Sequence, residues 1–206
     1  MRTSNTSSVC RAGGGFSLIE LLIVLAMILI MYYMLMSRGA RSYQRQQLAV
    51  CSKNLQNIYV ALNIYANDNK DRYPVVPDAK TSEEPLSLLV PKCTTATEMF
   101  TCPGSKDVRL RQGEPFAKEK ISYAYYMGWK KSGSKTEPLV SDRQVDTARK
   151  RQGQVAFSTD GKPPGDNHSK YGGNVLFADG EIQATDIKTE YDLLYPTNVT
   201  LLNPKR

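Results

Sequence analysis

The most hydrophobic part of the chain lies near its N-terminus. Residues 16–36 contain one charged side chain, Glu20. As a helix rising about 1.5 Å per residue, this segment would extend roughly 31 Å, close to the hydrocarbon thickness of a bilayer. No second stretch has this character, so the pattern predicts one transmembrane helix followed by a more polar domain.

Beyond the span, apolar residues recur at alternating steps of three and four, the spacing of one helix face: Leu48, Cys51, Leu55, Ile58, Leu62 and Tyr65. No proline occurs between Phe16 and Tyr73. We therefore predict one helix from residue 16 to about residue 68, of which the region 37–72 forms the amphipathic outer half. Clustered Asn and Asp residues before Pro74 are expected to end it.

Residues 73–206 are predicted to form the globular domain. Prolines divide residues 75–120 into loops and short pieces, with one helical turn expected at 85–89. Strand patterns follow at 121–126, 154–158 and 174–177, and an Asp-Gly turn leads into 181–183. A short helix is predicted at 190–194. The expected fold class is α+β, a long N-terminal helix packed on a small antiparallel sheet.

The segment that begins with Gly15 and Phe16 reads GFSLIELLIV, which resembles the class III signal of type IV pilins and type II secretion pseudopilins. The resemblance implies cleavage between these two residues by prepilin peptidase, removal of the leader 1–15, and methylation of the new amine. It also implies that Glu20 pairs with the Phe16 amine of a neighbouring subunit. Such pairing would offset the cost of a carboxylate in the membrane, about 2.5–3.5 kcal/mol at mid-depth.

The same resemblance implies a pilin-like fold and a structural role in a periplasmic filament that drives protein export. The implied partners are other pseudopilins, prepilin peptidase, the inner membrane and its assembly platform. The N-terminus is expected in the cytoplasm and the C-terminal domain in the periplasm. Charge alone does not set this orientation, because arginines lie on both sides of the span.

Three alternatives remain open at this point. The protein could be a surface type IV pilin for adhesion or DNA uptake, or an anchored binding domain that does not assemble. The N-terminus could also be a secretory signal cut after Met36, where Ser37, Gly39 and Ala40 follow. The apolar segment is longer than the usual h-region of about 7 to 15 residues, which disfavours this last hypothesis.

Later segments resemble a bacterial group of pilin-like proteins that carry a prepilin N-terminus and a C-terminal His-x9-Asp-Gly signature. The segments are 100–103 (FTCP), 122–125 (SYAY) and 174–180 (NVLFADG). In this chain, ten residues separate His168 from Asp179, and Glu181 follows the Asp-Gly pair.

Three cysteines lie outside the predicted leader. Cys93 and Cys102 are expected to pair, because the compartment is oxidising and they frame a short loop. Such a bond would contribute about 2–3 kcal/mol in the chain-entropy model. Cys51 lies on the apolar stripe and is expected to be a buried free thiol. Zinc is disfavoured, because four ligands would need His168 and distant carboxylates.

Calcium is the candidate cofactor, since the resemblance extends to major pseudopilins that use a calcium-bound loop near their C-terminal strands. Hard oxygen ligands occur in the corresponding part of this chain: Asp160, Asp166, Asn167, Asp179 and Asp186. Their spacing is not that of an EF-hand. Asp and Asn are also common in such loops for backbone reasons alone.

Composition adds little to these expectations. The 206 residues have a mean hydropathy of −0.41, and 27 Lys and Arg against 20 Asp and Glu give a net charge of +7. The mild basic excess permits a nucleic-acid partner without requiring one. Tyr123, Tyr125, Tyr126 and Trp129 near lysines could stack on single-stranded DNA or glycan, although such tyrosines more often pack a sheet. With one histidine and neither a G-x-S-x-G motif nor a P-loop, the chain is not expected to be an enzyme.

Overall fold

A computed structural model describes residues 17–132 and 134–205, with the side chains of 36–41 excepted. The predicted leader 1–15 and the cleavage residues Gly15 and Phe16 therefore lie outside the described residues. The chain divides into two units between Ser42 and Tyr43.

A single helix, α1, covers Leu18–Asp68 and has 51 residues. It confirms the predicted continuous helix and its C-terminal end. After Asp68 the chain turns through Lys70 and Asp71, both at positive φ, and the Asp71 N–H donates to the Ala66 carbonyl at 2.9 Å. Asp and Asn tolerate this left-handed geometry better than most residues, which agrees with their clustering at the helix end.

The first unit contains the apolar part of α1. Its segment Leu18–Leu35 is long and apolar enough to cross a membrane, by length and composition. The large hydrophobic side chains of this segment are exposed. Glu20 lies in the first turn of the helix and is exposed as well.

In the second unit, one face of α1 belongs to the main hydrophobic core. The buried residues recur every three or four positions, as expected for one helix face: Cys51, Leu55, Ile58, Ala61, Leu62 and Ala66. The predicted apolar stripe therefore packs inside the domain. Leu48 and Tyr65, at its ends, are partly buried.

The sheet has five antiparallel strands in the order β4-β3-β2-β1-β5. The strands are β1 (Tyr123–Met127), β2 (Pro138–Asp142), β3 (Gly173–Phe177), β4 (Ile182–Thr185) and β5 (Thr200–Leu202). The class is thus α+β with a small antiparallel sheet, as predicted. A four-residue helix, α2 (Glu83–Leu86), continues as a 3-10 turn at Ser87–Leu89, and a second 3-10 turn covers Thr97–Phe100.

Both faces of the sheet are covered. On one face, Tyr125, Val140 and Leu176 join the core that contains α1. On the other face, side chains of β3 pack with Ala156, Phe157 and Leu193, and side chains of β1 pack with Val199 and Leu201. Successive strand residues point to opposite faces, so almost every position of β1, β2 and β3 is buried.

Two expectations about elements were wrong. Residues 154–158 are not a strand, and their one ladder contact is the isolated bridge between Val155 and Lys188. Residues 190–194 are not a helix, because Leu193 instead bridges Lys150. The Asp-Gly hairpin was right: Gly180 has φ +90 and joins β3 to β4.

Candidate functional site

The structure pairs the cysteines differently from the expectation. Cys51 of α1 and Cys102 form a disulfide with a Cα–Cα distance of 5.6 Å. The predicted Cys93–Cys102 bond is therefore wrong, and so is the expectation that Cys51 is a free thiol. Cys93 is a free cysteine, and burial, followed by the nearby Asp68 carboxylate, raises the pKa of its thiol.

Hydrogen bonds explain why Cys102 forms its disulfide with Cys51 of the helix instead of with Cys93. The Cys102 N–H donates to Ser122 Oγ at 2.8 Å, which attaches this loop to the segment entering β1. Asn54 Nδ2 of α1 donates to the Thr101 carbonyl at 3.2 Å. These contacts hold the 100–103 segment against the buried face of α1, where Cys51 lies.

Asp142 and His168 lie beside the disulfide. Asp142 ends β2 and lies two positions after Val140, so it faces α1 as Val140 does. His168 lies in the loop before β3, and its Nε2 is 3.3 Å from Asp142 Oδ2 and 3.4 Å from Cys102 Sγ. The ligand atoms of Cys51, Cys102, Asp142 and His168 all lie within 4.8 Å of one another. We call these four buried residues the Cys-Cys-His-Asp cluster.

The Asp142 carboxylate is held by donors on both oxygens. The Asn174 backbone N–H donates to Oδ2 at 2.8 Å, and Asn167 Nδ2 donates to Oδ1 at 3.0 Å. Burial raises the pKa of Asp142, but the adjacent His168 and these hydrogen bonds outweigh it, so the pKa lies below its ordinary value. The site therefore keeps an anion in a place removed from water.

The turn after Cys102 brings backbone close to the cluster. The Gly104 N–H donates to Cys102 Sγ at 3.4 Å. A Cβ at Gly104 would collide with the Asn167 carbonyl and would lie 2.9 Å from His168 Nδ1, so the turn needs glycine for this approach. His168 Nδ1 is buried and has no hydrogen-bond partner among the described residues.

The predicted calcium ligands are not brought together. Asp160 Oδ1 accepts the Lys162 N–H at 3.0 Å, and Asp179 Oδ1 accepts the Glu181 N–H at 3.0 Å. Asn167 is directed to Asp142, and neither Asp166 nor Asp186 belongs to a group of three or more metal-ligating side chains among the described residues. Within residues 17–132 and 134–205, the Cys-Cys-His-Asp cluster is the one group of three or more His, Cys, Asp or Glu whose geometry could hold a metal ion.

Of the four residues of the expected aromatic surface, Trp129 is partly buried and the three tyrosines are not available for stacking on a ligand. Tyr123, Tyr125 and Tyr126 are fully buried. Tyr125 donates its hydroxyl hydrogen to the Pro74 carbonyl at 3.0 Å. Burial raises the pKa of all three phenols. These tyrosines pack the sheet, as the alternative interpretation held.

The cluster is not evident from the sequence, because Cys51 fits the apolar face of a helix and Cys93 is the nearer partner for Cys102. Asp142 is not evident either, because it ends a strand that the pattern does not predict. The one sequence feature that indicates a site here is Asp142, the acidic residue that ends the mostly apolar segment PLVSD of β2. An ionised side chain at such a position needs a partner.

Comparisons of the chain with models of protein families, with curated proteins and with solved structures found no match. The function is therefore argued from the residues and their geometry.

Proposed function

We propose that the protein is a pilin-like subunit of the pseudopilin type, stored in a membrane and assembled through its N-terminal helix into a periplasmic filament that drives protein export. The observation that carries the proposal is Glu20. It is the one charged residue in an apolar helical segment, and it follows the Gly15-Phe16 pair at the spacing of the prepilin motif.

The two parts of α1 support this function. The apolar side chains of Leu18–Leu35 are exposed within their own unit. An apolar surface of this size needs lipid or another protein to cover it. Beyond Tyr43, the helix has the apolar face that a folded domain requires, and that face is buried. One helix thus joins a segment suited to a membrane or a filament to a folded head.

The proposed assembly depends on charge as well as on apolar packing. Cleavage after Gly15 would create a new amine at Phe16, close in sequence to the Glu20 carboxylate. In the assembled state, the amine of one subunit would pair with Glu20 of the next, which compensates the burial of both charges. Packing of apolar helices would supply cohesion, and a separate cytoplasmic ATPase would supply the energy.

Processing is tested by the intact mass of the full chain extracted from the membranes of its host. We expect wild-type protein to lack residues 1–15 and to carry one added methyl group. The Gly15→Ala variant should keep its leader. Retention of the leader by the wild type, or a cut after Met36, contradicts the proposal.

Assembly is tested with Glu20→Gln, which removes the charge and keeps the size of the side chain. We expect this variant to be processed normally but to be absent from the filament fraction recovered by shearing and sedimentation. Glu98→Gln is the matched control, because Glu98 is exposed in the globular domain. Assembly of Glu20→Gln at the wild-type level would overturn the mechanism.

The location of the filament distinguishes the proposed periplasmic pseudopilin from a surface type IV pilin. Immunogold labelling of intact cells should leave a periplasmic filament unlabelled, and opened cells should be labelled. Label on long surface fibres would instead indicate a type IV pilus for adhesion or DNA uptake. Processed protein that never enters a filament would indicate an anchored domain that does not assemble.

A further inference from the structure

We propose that the Cys-Cys-His-Asp cluster is a four-coordinate zinc site when Cys51 and Cys102 are reduced. The proposal concerns the second unit alone and does not depend on filament assembly. The site would link α1, the loop after the second 3-10 turn, the end of β2 and the loop before β3.

Two distances in the cluster fit a tetrahedral ion, and the two sulfurs, bonded to each other in the structure, would separate to about 3.8 Å after reduction. With bonds of about 2.0–2.1 Å to N and O and about 2.3 Å to S, a tetrahedral zinc separates its N and O ligands by about 3.3 Å and its N and S ligands by about 3.6 Å. His168 Nε2 lies 3.3 Å from Asp142 Oδ2 and 3.4 Å from Cys102 Sγ. These two distances between ligand atoms are already close to those that a tetrahedral zinc ion requires. The widest separation in the cluster, 4.8 Å at most, would shorten by about 1 Å.

A disulfide alone does not account for the cluster. A disulfide is uncharged and can be buried without ionisable neighbours. Here a carboxylate and the one imidazole of the chain are both fully buried beside it. The two side chains pair with each other at 3.3 Å, which offsets part of the cost of burying them, but His168 Nδ1 has no hydrogen-bond partner among the described residues. A zinc ion would use both side chains as ligands.

For two of the four ligands, Asp142 and Cys102, the surroundings match the outer shell of a metal site. Ligating carboxylates are commonly hydrogen-bonded by neighbouring groups that fix their orientation. Asn167 and Asn174 supply these bonds to Asp142. The Gly104 N–H plays the corresponding part for Cys102 Sγ, where a donor stabilises the negative charge of a thiolate.

The ligand types select zinc over calcium. Two thiolates, one imidazole and one carboxylate are all ligand types that zinc takes, whereas calcium takes six to eight oxygens. With four protein ligands the site would be closed, as in structural zinc centres. The ligands carry three negative charges, so the complex has a net charge of −1, the same as a zinc centre built from three thiolates and one imidazole.

The metal and the disulfide exclude each other. A dithiol reductant transfers two electrons and two protons to the bond, so that Cys51 and Cys102 become thiols and the reductant becomes a disulfide. Zinc then binds both sulfurs as thiolates and displaces the two thiol protons to solvent. A newly made chain already carries the thiols, so zinc can bind before the bond forms.

The first test uses the full chain in detergent, reduced with a phosphine under anaerobic conditions. Zinc is added, excess is removed by dialysis, and bound metal is measured by plasma mass spectrometry. We expect about one zinc per reduced chain and none in the disulfide form. With cobalt(II) as the probe, we expect visible and near-ultraviolet bands typical of tetrahedral thiolate coordination. Reduced, folded protein that binds neither metal overturns the proposal.

The second test locates the site without relying on a variant. Reduced protein is labelled with a thiol alkylating reagent, with and without zinc, and its peptides are analysed by mass spectrometry. We expect zinc to protect Cys51 and Cys102, while Cys93, outside the cluster, is labelled equally in both conditions. Equal labelling of Cys51, Cys93 and Cys102, or protection of Cys93, contradicts the proposed ligand set.

Variants then separate ligands from neighbours. His168→Gln should abolish stoichiometric zinc binding, and Asn167→Ala should weaken the affinity about 10–100-fold, because Asn167 orients Asp142. Cys93→Ser is the matched control and should bind like the wild type. Unchanged binding by His168→Gln, with circular dichroism showing a folded chain, would rule out this site.

Discussion

The buried ammonium group of Lys150 is stabilised by one carboxylate and one backbone carbonyl. Its side chain is 3% exposed, and its Nζ lies 2.7 Å from Asp146 Oδ1. The Ala148 carbonyl accepts a second hydrogen bond from Nζ at 3.1 Å. Burial raises the pKa of Asp146, but the hydrogen bonds from Lys150 and from the Ala148 N–H outweigh it, and the pKa lies below 3.8.

We expect Asp146→Asn to lower the free energy of unfolding by about 0.5–1 kcal/mol at pH 7, because it leaves the Lys150 ammonium without a counter-charge but the Asp146 side chain is 58% exposed and solvent screens the pair. The measurement is urea unfolding of the detergent-solubilised protein. Asp186→Asn is the control, since Asp186 is exposed, and it should change stability by less than about 0.5 kcal/mol. Equal effects of the two substitutions would show that the ion pair does not matter.

The same pair gives a pH dependence with a defined sign. The folded-state pKa of Asp146 is depressed, so its contribution is fully present above the unfolded value near 3.8. The contribution is lost as the pH falls through the lower folded-state value. The stability difference between wild type and Asp146→Asn should therefore shrink below about pH 4. A difference that grows on acidification would contradict this assignment.

At the scale of elements, the outer half of α1 has one buried and one exposed face. Leu62 is fully buried in the main core, whereas Val60, two residues earlier, is 54% exposed. We expect Leu62→Ala to destabilise the protein by about 2–5 kcal/mol, the usual cost of a cavity at a packed site. Val60→Ala should change stability by less than about 0.5 kcal/mol.

Denaturant unfolding followed by far-ultraviolet circular dichroism distinguishes these two variants. The substitutions should change the denaturant concentration at the midpoint of unfolding. They should leave the dependence of the unfolding free energy on denaturant concentration unaltered, because they do not change the surface exposed on unfolding. Similar losses for Leu62→Ala and Val60→Ala would mean that the helix does not pack on the sheet through this face.

Elements with a local pattern could be predicted from the sequence. Helix α1 has a long apolar period and a clear stop, and the β3–β4 hairpin has an Asp-Gly turn. Strands β2 and β5 could not be predicted in this way. They have five and three residues. Strand β2 pairs with β1 across the connection 128–137, and β5 pairs with β1 from near the end of the sequence. Their stability comes from cross-strand packing and burial on two faces, which no short window records.

The candidate site was missed for the same reason. Its four residues come from four different parts of the second unit, and Asp142 belongs to one of the strands that lacked a local pattern. Proximity in sequence favoured Cys93 as the partner of Cys102, but the hydrogen bonds of the 100–103 segment direct Cys102 toward α1. Disulfide partners depend on such tertiary contacts and are not set by loop length.

For the whole molecule, the division between Ser42 and Tyr43 separates an exposed apolar segment from a domain with its own core. Among the residues whose burial the structure describes, the buried hydrophobic ones lie in the second unit, from Cys51 onward, whereas the apolar segment Leu18–Leu35 is exposed. A domain that contains its own core has what it needs to fold alone. The segment Leu18–Leu35 is exposed and apolar, so in water it would promote association.

We therefore expect a chain that begins at Tyr43 to be soluble without detergent and to unfold cooperatively. The full chain should need detergent or lipid. The measurements are size-exclusion chromatography with light scattering, which should give a monomer mass, and thermal unfolding followed by circular dichroism.

As a matched control, a chain that begins at Asn63 lacks Cys51, Leu55, Ile58, Ala61 and Leu62 of the core. We expect this shorter chain to be unfolded or aggregated, because the sheet loses the helix that covers one of its faces. If the chain from Tyr43 aggregates as strongly as the control, the apolar segment is part of the fold and the division between the units is wrong.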